Sequence, residues 1–210
     1  MSNLKRRFIP VLVLVAAAAL SACVPLPFLV GGAVMGGSVA VAVDRRTAGT
    51  LVEDQGIELK SSNRISESLG ERVHVNVMAY NRQVLLTGEA PNAGDKQAVE
   101  KIVAGVENVR NIVNEIEVLG ISTLGQRSSD TVVTGRVKAT LIDEKELNSN
   151  AFKITTEHGV TYLMGRVTQR EATLATDRIA AVSGVQRLVR VLEYISEEEL
   201  ARISPPPANK

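Results

Sequence analysis

The chain has 210 residues, 45% of them hydrophobic, but no Trp and only three Phe and three Tyr, so its cores must be built from Val, Ile, Leu and Ala. A formal net charge of +1, with 24 basic and 23 acidic residues, gives no bulk attraction for nucleic acid. Small domains fit this composition, whereas a large enzyme does not.

The N-terminus carries Lys5, Arg6 and Arg7, then the apolar run Phe8 to Leu20, then Leu20-Ser21-Ala22-Cys23. A basic region, a short apolar region and a small-residue cleavage site make a signal peptide, expected over residues 1–22. The apolar run is too short to cross a bilayer, which needs about 20 residues. Leu-Ser-Ala-Cys resembles the bacterial lipobox, which implies cleavage before Cys23 and acylation of its thiol and new amine. Cys23 is the only cysteine, so export would leave it without a disulfide partner in its own chain; lipidation removes that difficulty. Acyl chains contribute about 0.8 kcal/mol per buried CH₂, enough for firm anchoring. By the resemblance to bacterial lipoproteins and their sorting rules, Val24 in place of an Asp after the cysteine implies the outer membrane of a Gram-negative host.

Residues 23–45 form the lipidated cysteine and an apolar, Gly-rich linker. Gly32 and Gly36 offer a GxxxG packing face. A flexible tether is favoured, because glycines weaken an isolated helix.

A repeat follows. Val77 to Gly88 (VMAYNRQVLLTG) matches Ile154 to Gly165 (ITTEHGVTYLMG) at an offset of 77, and a later Gly-Val pair recurs at Gly105 and Gly184 with an offset of 79. The second copy thus holds two extra residues in or near its helix. In each copy alternating apolar residues flank a turn at Asn81-Arg82 or His158-Gly159, predicting a β-hairpin. Helices are predicted at about 54–69 and 92–104, and again at about 129–142 and around Ala172, Ala175, Ile179 and Val182. Closing strands are predicted at 109–119 and 188–195. The expected class is α+β: two tandem αββαβ domains, at 46–119 and 120–195, each a small three-stranded mixed sheet packed against helices. Gly105 and Gly184 are expected to form left-handed helix caps. Residues 196–210 carry three consecutive glutamates and three consecutive prolines, and read as a short helical end running into a disordered tail.

Helix, hairpin ending in Leu-x-Gly (Leu86 to Gly88, Leu163 to Gly165), helix, and Gly-Val-x-x-hydrophobe (Gly105 to Val109, Gly184 to Leu188) together resemble the BON domain of bacterial envelope proteins. With the lipobox, the Gly-rich linker and Asp-Arg-Arg-Thr at 44–47, the chain is similar to the two-domain lipoproteins of that family. The resemblance implies an outer-membrane lipoprotein that faces the periplasm, supports envelope integrity, gathers at division sites, and binds phosphatidylglycerol and cardiolipin through its second domain.

Charge separates the two copies. Residues 44–119 hold 9 basic and 12 acidic side chains, while residues 120–195 hold 10 and 8. The second copy is therefore the candidate for an anionic surface. On its first helix Val133, Val137 and Leu141 should face the core, leaving Val132, Gly135, Arg136, Lys138 and Ala139 as a candidate phospholipid face. An aromatic is expected at Val132 in a strong binder, because aromatic rings favour the membrane interface. His74 and His158 read as surface or turn histidines without metal spacing, and no catalytic constellation, metal site or cofactor is expected. The rival reading is a protein-interaction module docking on outer-membrane assembly or cell-wall remodelling machinery; a third is a structural spacer.

Overall fold

The first element begins at Thr47, whose hydroxyl accepts from the Thr50 amide and caps α1 (Ala48–Leu69). The structure is a computed structural model that describes residues 44–203; the expected signal peptide, Cys23, the GxxxG segment and residues 204–210 of the tail lie outside the described residues. Helix α1 buries Asp54, Ile57, Ser61, Ile65 and Leu69 along one side. A single 3₁₀ turn, Gly70–Arg72, leads into β1 (His74–Tyr80), antiparallel to β2 (Gln83–Ala90). Asn92 caps α2 (Ala93–Ala104), and β3 (Asn111–Asn114) and β4 (Glu117–Val118) both run parallel to β2.

The second copy repeats this order. A capping box of Thr123 and Gln126 opens α3 (Leu124–Asp143). After a 3₁₀ turn come β5 (Phe152–Glu157), antiparallel β6 (Val160–Val167), α4 (Gln169–Ala180) and β7 (Arg187–Tyr194), parallel to β6. Helix α5 (Glu197–Ile203) follows.

Both hairpins turn on two residues with positive φ, Asn81 (50°) with Arg82 (64°) and His158 (50°) with Gly159 (73°), the conformation that matches strand twist. Arginine rarely adopts it, and a buried carboxylate holds it there. Asp54 accepts from the amides of Asn81 at 2.8 Å and Arg82 at 2.7 Å. In the second copy Asp130 accepts from His158 at 2.9 Å and Gly159 at 3.0 Å. The first helix of each domain thus grips the hairpin it covers.

Three expectations need correction. The first closing strand is interrupted: the Glu115 amide donates to Leu86 and that of Ile116 to the Asn114 side chain, which turns Ile116 into the core at 1% exposure. Gly105 has φ −82° and is no left-handed cap; the positive φ falls on Asn108 instead. Gly184 does have positive φ, 101°, and a Cβ there would stand 2.5 Å from Val133 Cγ2, so the glycine lets α3 pack closely. The second copy holds no extra residues in or near its helix: both helices have 12 residues and run into the same turn, so Ala181 stands where Gly105 stands in the first copy and Gly184 where Asn108 does.

Each sheet has two buried faces. One packs under its own helices, around Ile57, Leu86 and Val99 in the first domain and Val137, Leu163 and Ile179 in the second. The opposite faces meet each other: Met78, Tyr80 and Leu85 pack on Val160, Tyr162, Met164 and Val191. The layers run helices, sheet, sheet, helices. Burial on both faces explains why β2 and β6 read as nearly continuous apolar runs.

Candidate functional site

Helix α3 places Val133, Val137 and Leu141 in the core, and its remaining surface carries the residues singled out from the sequence. Val132 is 53% exposed, and Gly135, Arg136, Lys138 and Ala139 are exposed too. At 3.6 residues per turn, Leu124, Gly135 and Ile142 align on one line. Val132 and Ala139 lie beside it, Arg136 lies beyond them, and Lys138 borders the other side. Leu124 (80% exposed) and Ile142 (67%) therefore extend the apolar stripe along the whole helix. Sequence reading missed both, because it began the helix at Ser129 and did not test the outward face of its ends.

Cations outnumber acids on the outward side of this helix, whose one exposed carboxylate is Asp143 at its last residue. Between Leu124 and Ile142 the only carboxylate is Asp130, which is buried against the second hairpin. Arg127, Arg136 and Lys138 form no ion pair among the described residues. Arg127 donates to Ser122 at 3.0 Å, and Arg136 makes a 3.3 Å bond to the Ser183 carbonyl. By contrast Lys60, Arg72 and Arg82 of the first domain and Arg170 and Arg178 of the second all face carboxylates. Three cations beside an apolar stripe, against one exposed acid, Asp143, at the last residue of the helix, suit a phosphate-bearing apolar boundary.

The rim of the sheet-to-sheet seam is the second feature. Arg45 lies ahead of α1 yet reaches the second domain, donating to Glu171 at 2.8 and 2.5 Å and to the Arg166 carbonyl at 2.9 Å. Both side chains are nearly inaccessible, at 6% and 4% exposure. Burial alone would raise the Glu171 pKa, but hydrogen bonds from Arg45 and the Thr168 amide, with the Arg45 charge, outweigh it and hold the carboxyl below its ordinary value. Arg46 turns the other way, pairs with Asp44 and Asp54, and lies 4.3 Å above the Tyr80 ring. Burial also pushes the Tyr80 phenol up to about 12, and its hydroxyl donates to the Ala151 carbonyl of the other domain. Arg45 is thus a clasp between the domains, while Asp44 and Arg46 fasten the same segment to the first.

At another part of the seam the two histidines of the chain meet on one carboxylate. His74 Nδ1 is 2.8 Å and His158 Nε2 2.5 Å from opposite oxygens of fully buried Glu89. His74 opens its strand and His158 sits in its hairpin turn, as expected; that the two share one carboxylate was not. Burial opposes the Glu89 charge, but hydrogen bonds from Ser122, His158 and His74 outweigh it and lower its pKa. Glu157, beside them, accepts from Asn76 Nδ2 at 2.5 Å; burial raises its pKa, and the Asn76 bond and His74 charge only partly offset that. Asn81 to Glu193 at 2.5 Å and Lys153 to Glu58 complete the polar rim.

The BON domain model matches residues 53–120 and 129–196. Among curated proteins the chain is 33% identical over 180 residues to the outer membrane lipoprotein DolP of Haemophilus influenzae, covering 84% of this chain and 93% of that one. It is 34% identical over 155 residues to a 21 kDa hemolysin of Actinobacillus pleuropneumoniae, covering 73% and 80%. Among solved structures, CdsD, a structural protein of the type III secretion system of Chlamydia trachomatis, aligns with 76% of this chain and 99% of its own at 12% identity, with a TM-score of 0.30. The two αββαβ units and the family match over both repeats agree, and the chain belongs to the BON-domain family.

Proposed function

We propose that this protein is a non-catalytic outer-membrane lipoprotein, held by acyl chains on Cys23 and facing the periplasm. Its second domain lays α3 on anionic phospholipid, phosphatidylglycerol or cardiolipin, and so supports envelope integrity, with enrichment at division sites. The observation that carries the reading is the surface of α3: Leu124, Val132 and Ile142 exposed along one side, Arg127, Arg136 and Lys138 around them without ion pairs, and the one carboxylate of that stretch buried. The outer-membrane assignment draws support from the likeness to the Haemophilus influenzae lipoprotein. No helix among the described residues is long and apolar enough to cross a membrane.

Flotation with phosphatidylcholine vesicles, with and without cardiolipin, tests the lipid contact on the mature chain carrying Cys23→Ser. Binding is expected only with cardiolipin, and it weakens as salt screens the charges. At about 1 kcal/mol per surface cation, Arg136→Glu with Lys138→Glu weakens it at least roughly 30-fold. Absence of lipid-dependent flotation, or survival of binding in the double variant, contradicts the proposal. Loss of acylation and membrane recovery in Cys23→Ala tests the anchor separately. Exposed Val118, Leu119 and Ile121 between the domains favour a second reading, docking of an envelope protein; crosslinking through those positions, with α3 reversals silent, would select it.

A further inference from the structure

From the seam we infer a zinc site shared by the two domains, with His74 Nδ1, a Glu89 carboxylate oxygen and a Glu157 carboxylate oxygen as its protein ligands. One ligand atom from each of the three residues lies within 4.8 Å of those of the other two, and His74 Nδ1 is 2.8 Å from Glu89 Oε2. A tetrahedral Zn²⁺ with bonds of about 2.0–2.2 Å holds its ligand atoms roughly 3.4 Å apart, so small side-chain rotations close the set. Strands β1 and β2 supply His74 and Glu89, and β5 supplies Glu157, so the ion joins one domain to the other.

The ligand set itself suits a cation. Two buried carboxylates stand together, and Glu157 forms no ion pair among the described residues; its partner is the neutral amide of Asn76. Asn76 occupies one oxygen of Glu157 and leaves the other for the metal. On Glu89, His158 takes Oε1 while Oε2 faces His74, so His158 is an outer-sphere support that fixes the carboxylate. A cavity of about 390 Å³, lined by His74, Asn76, Asp130 and Glu157 and also by Arg127 and Lys138, reaches two of the three ligand residues and gives the ion a path in. One imidazole and two carboxylates select a borderline transition ion such as Zn²⁺; Ca²⁺ takes six to eight oxygens and Mg²⁺ keeps several waters in an octahedron. On binding, the metal takes the Nδ1 lone pair of His74, the imidazole proton resides on Nε2, and a fourth position remains for water. The inference does not depend on lipid contact.

Isothermal titration of the mature chain with ZnCl₂ tests it, with Cys23→Ser to remove the lone thiol. One Zn²⁺ per chain is expected, with a rise in Tm that MgCl₂ does not reproduce. Glu157→Gln, which keeps shape and the Asn76 neighbour, and His74→Gln should each lower zinc affinity at least tenfold. The Tm response of the otherwise unsubstituted chain reads the site independently of how well those variants fold. Absence of saturable zinc binding, absence of a zinc-dependent Tm rise, or full affinity in both variants overturns the proposal.

Discussion

Arg45→Met removes the guanidinium that ties the segment before α1 to the second domain. Glu171 is then left with its carboxylate buried at 4% exposure and without its cation, having lost bonds of 2.8 and 2.5 Å. Removing one partner of a buried ion pair costs about 3–5 kcal/mol. The lower end applies, because the Thr168 amide still donates to Glu171 at 3.0 Å. A loss of about 3 kcal/mol lowers Tm by roughly 6–12 °C for a chain of this size. Glu171→Gln keeps the capping box and has a smaller effect, about 1–2 kcal/mol. The double variant should lose less than the sum, since the stranded charge is gone. pH gives a second check. The Glu171 pKa is lowered in the folded chain, so the pair stabilises fully above the unfolded carboxyl pKa of about 4.3 and is lost as pH falls through the lower folded value. The gap between parent and Arg45→Met therefore narrows on acidification. Urea unfolding at neutral pH and at pH 3 measures both effects. A variant within about 0.5 kcal/mol of the parent at neutral pH, or a gap that widens with acid, would refute the clasp.

Other substitutions read single features. Gly184→Ala forces a Cβ to 2.5 Å from Val133 Cγ2 at φ 101°, and should destabilise by about 1–3 kcal/mol, measured by urea midpoint. Gly135→Ala, exposed in α3 with nothing within 4 Å of its new Cβ, should instead raise stability by up to about 1 kcal/mol in the same assay. Asp130→Ala strands the two hairpin amides it accepts from and should cost about 2–4 kcal/mol, with faster hydrogen exchange at His158 and Gly159 before the rest of β5 and β6.

The domain unit was readable because local signals agreed. Alternation along β1, the two-residue turns, and the core row Val133, Val137, Leu141 each follow from period and turn chemistry. Helix starts came out late because the first turns of α1 and α3 bury nothing; the capping threonines Thr47 and Thr123 were the available signal. The break at Glu115 and the ordinary φ of Gly105 were hidden, since both depend on how the chain leaves α2 and joins β2. Least legible was the seam. Val84 to Leu86 and Val160 to Met164 hinted at sheets buried on both faces, but nothing local says which surface covers them. Glu89 and His158 lie 69 residues apart, and only docking of the two sheets brings them together. The candidate lipid face was partly readable from Val132, Arg136 and Lys138; its extension to Leu124 and Ile142 needed the true length of α3.

The central claim is that the outward side of α3 lies in the membrane interface, and the chain offers a direct probe because it contains no Trp. Val132→Trp places a single indole on that side; Val52→Trp, at an exposed position of α1 (69%), is the control. With cardiolipin-containing vesicles, the emission of the Val132→Trp chain should shift to the blue and become shielded from aqueous quenchers, and binding should tighten because an aromatic now stands at the interface. The Val52→Trp chain should show neither change. Equal shifts at both positions, or none at Val132→Trp despite vesicle binding, would contradict the account.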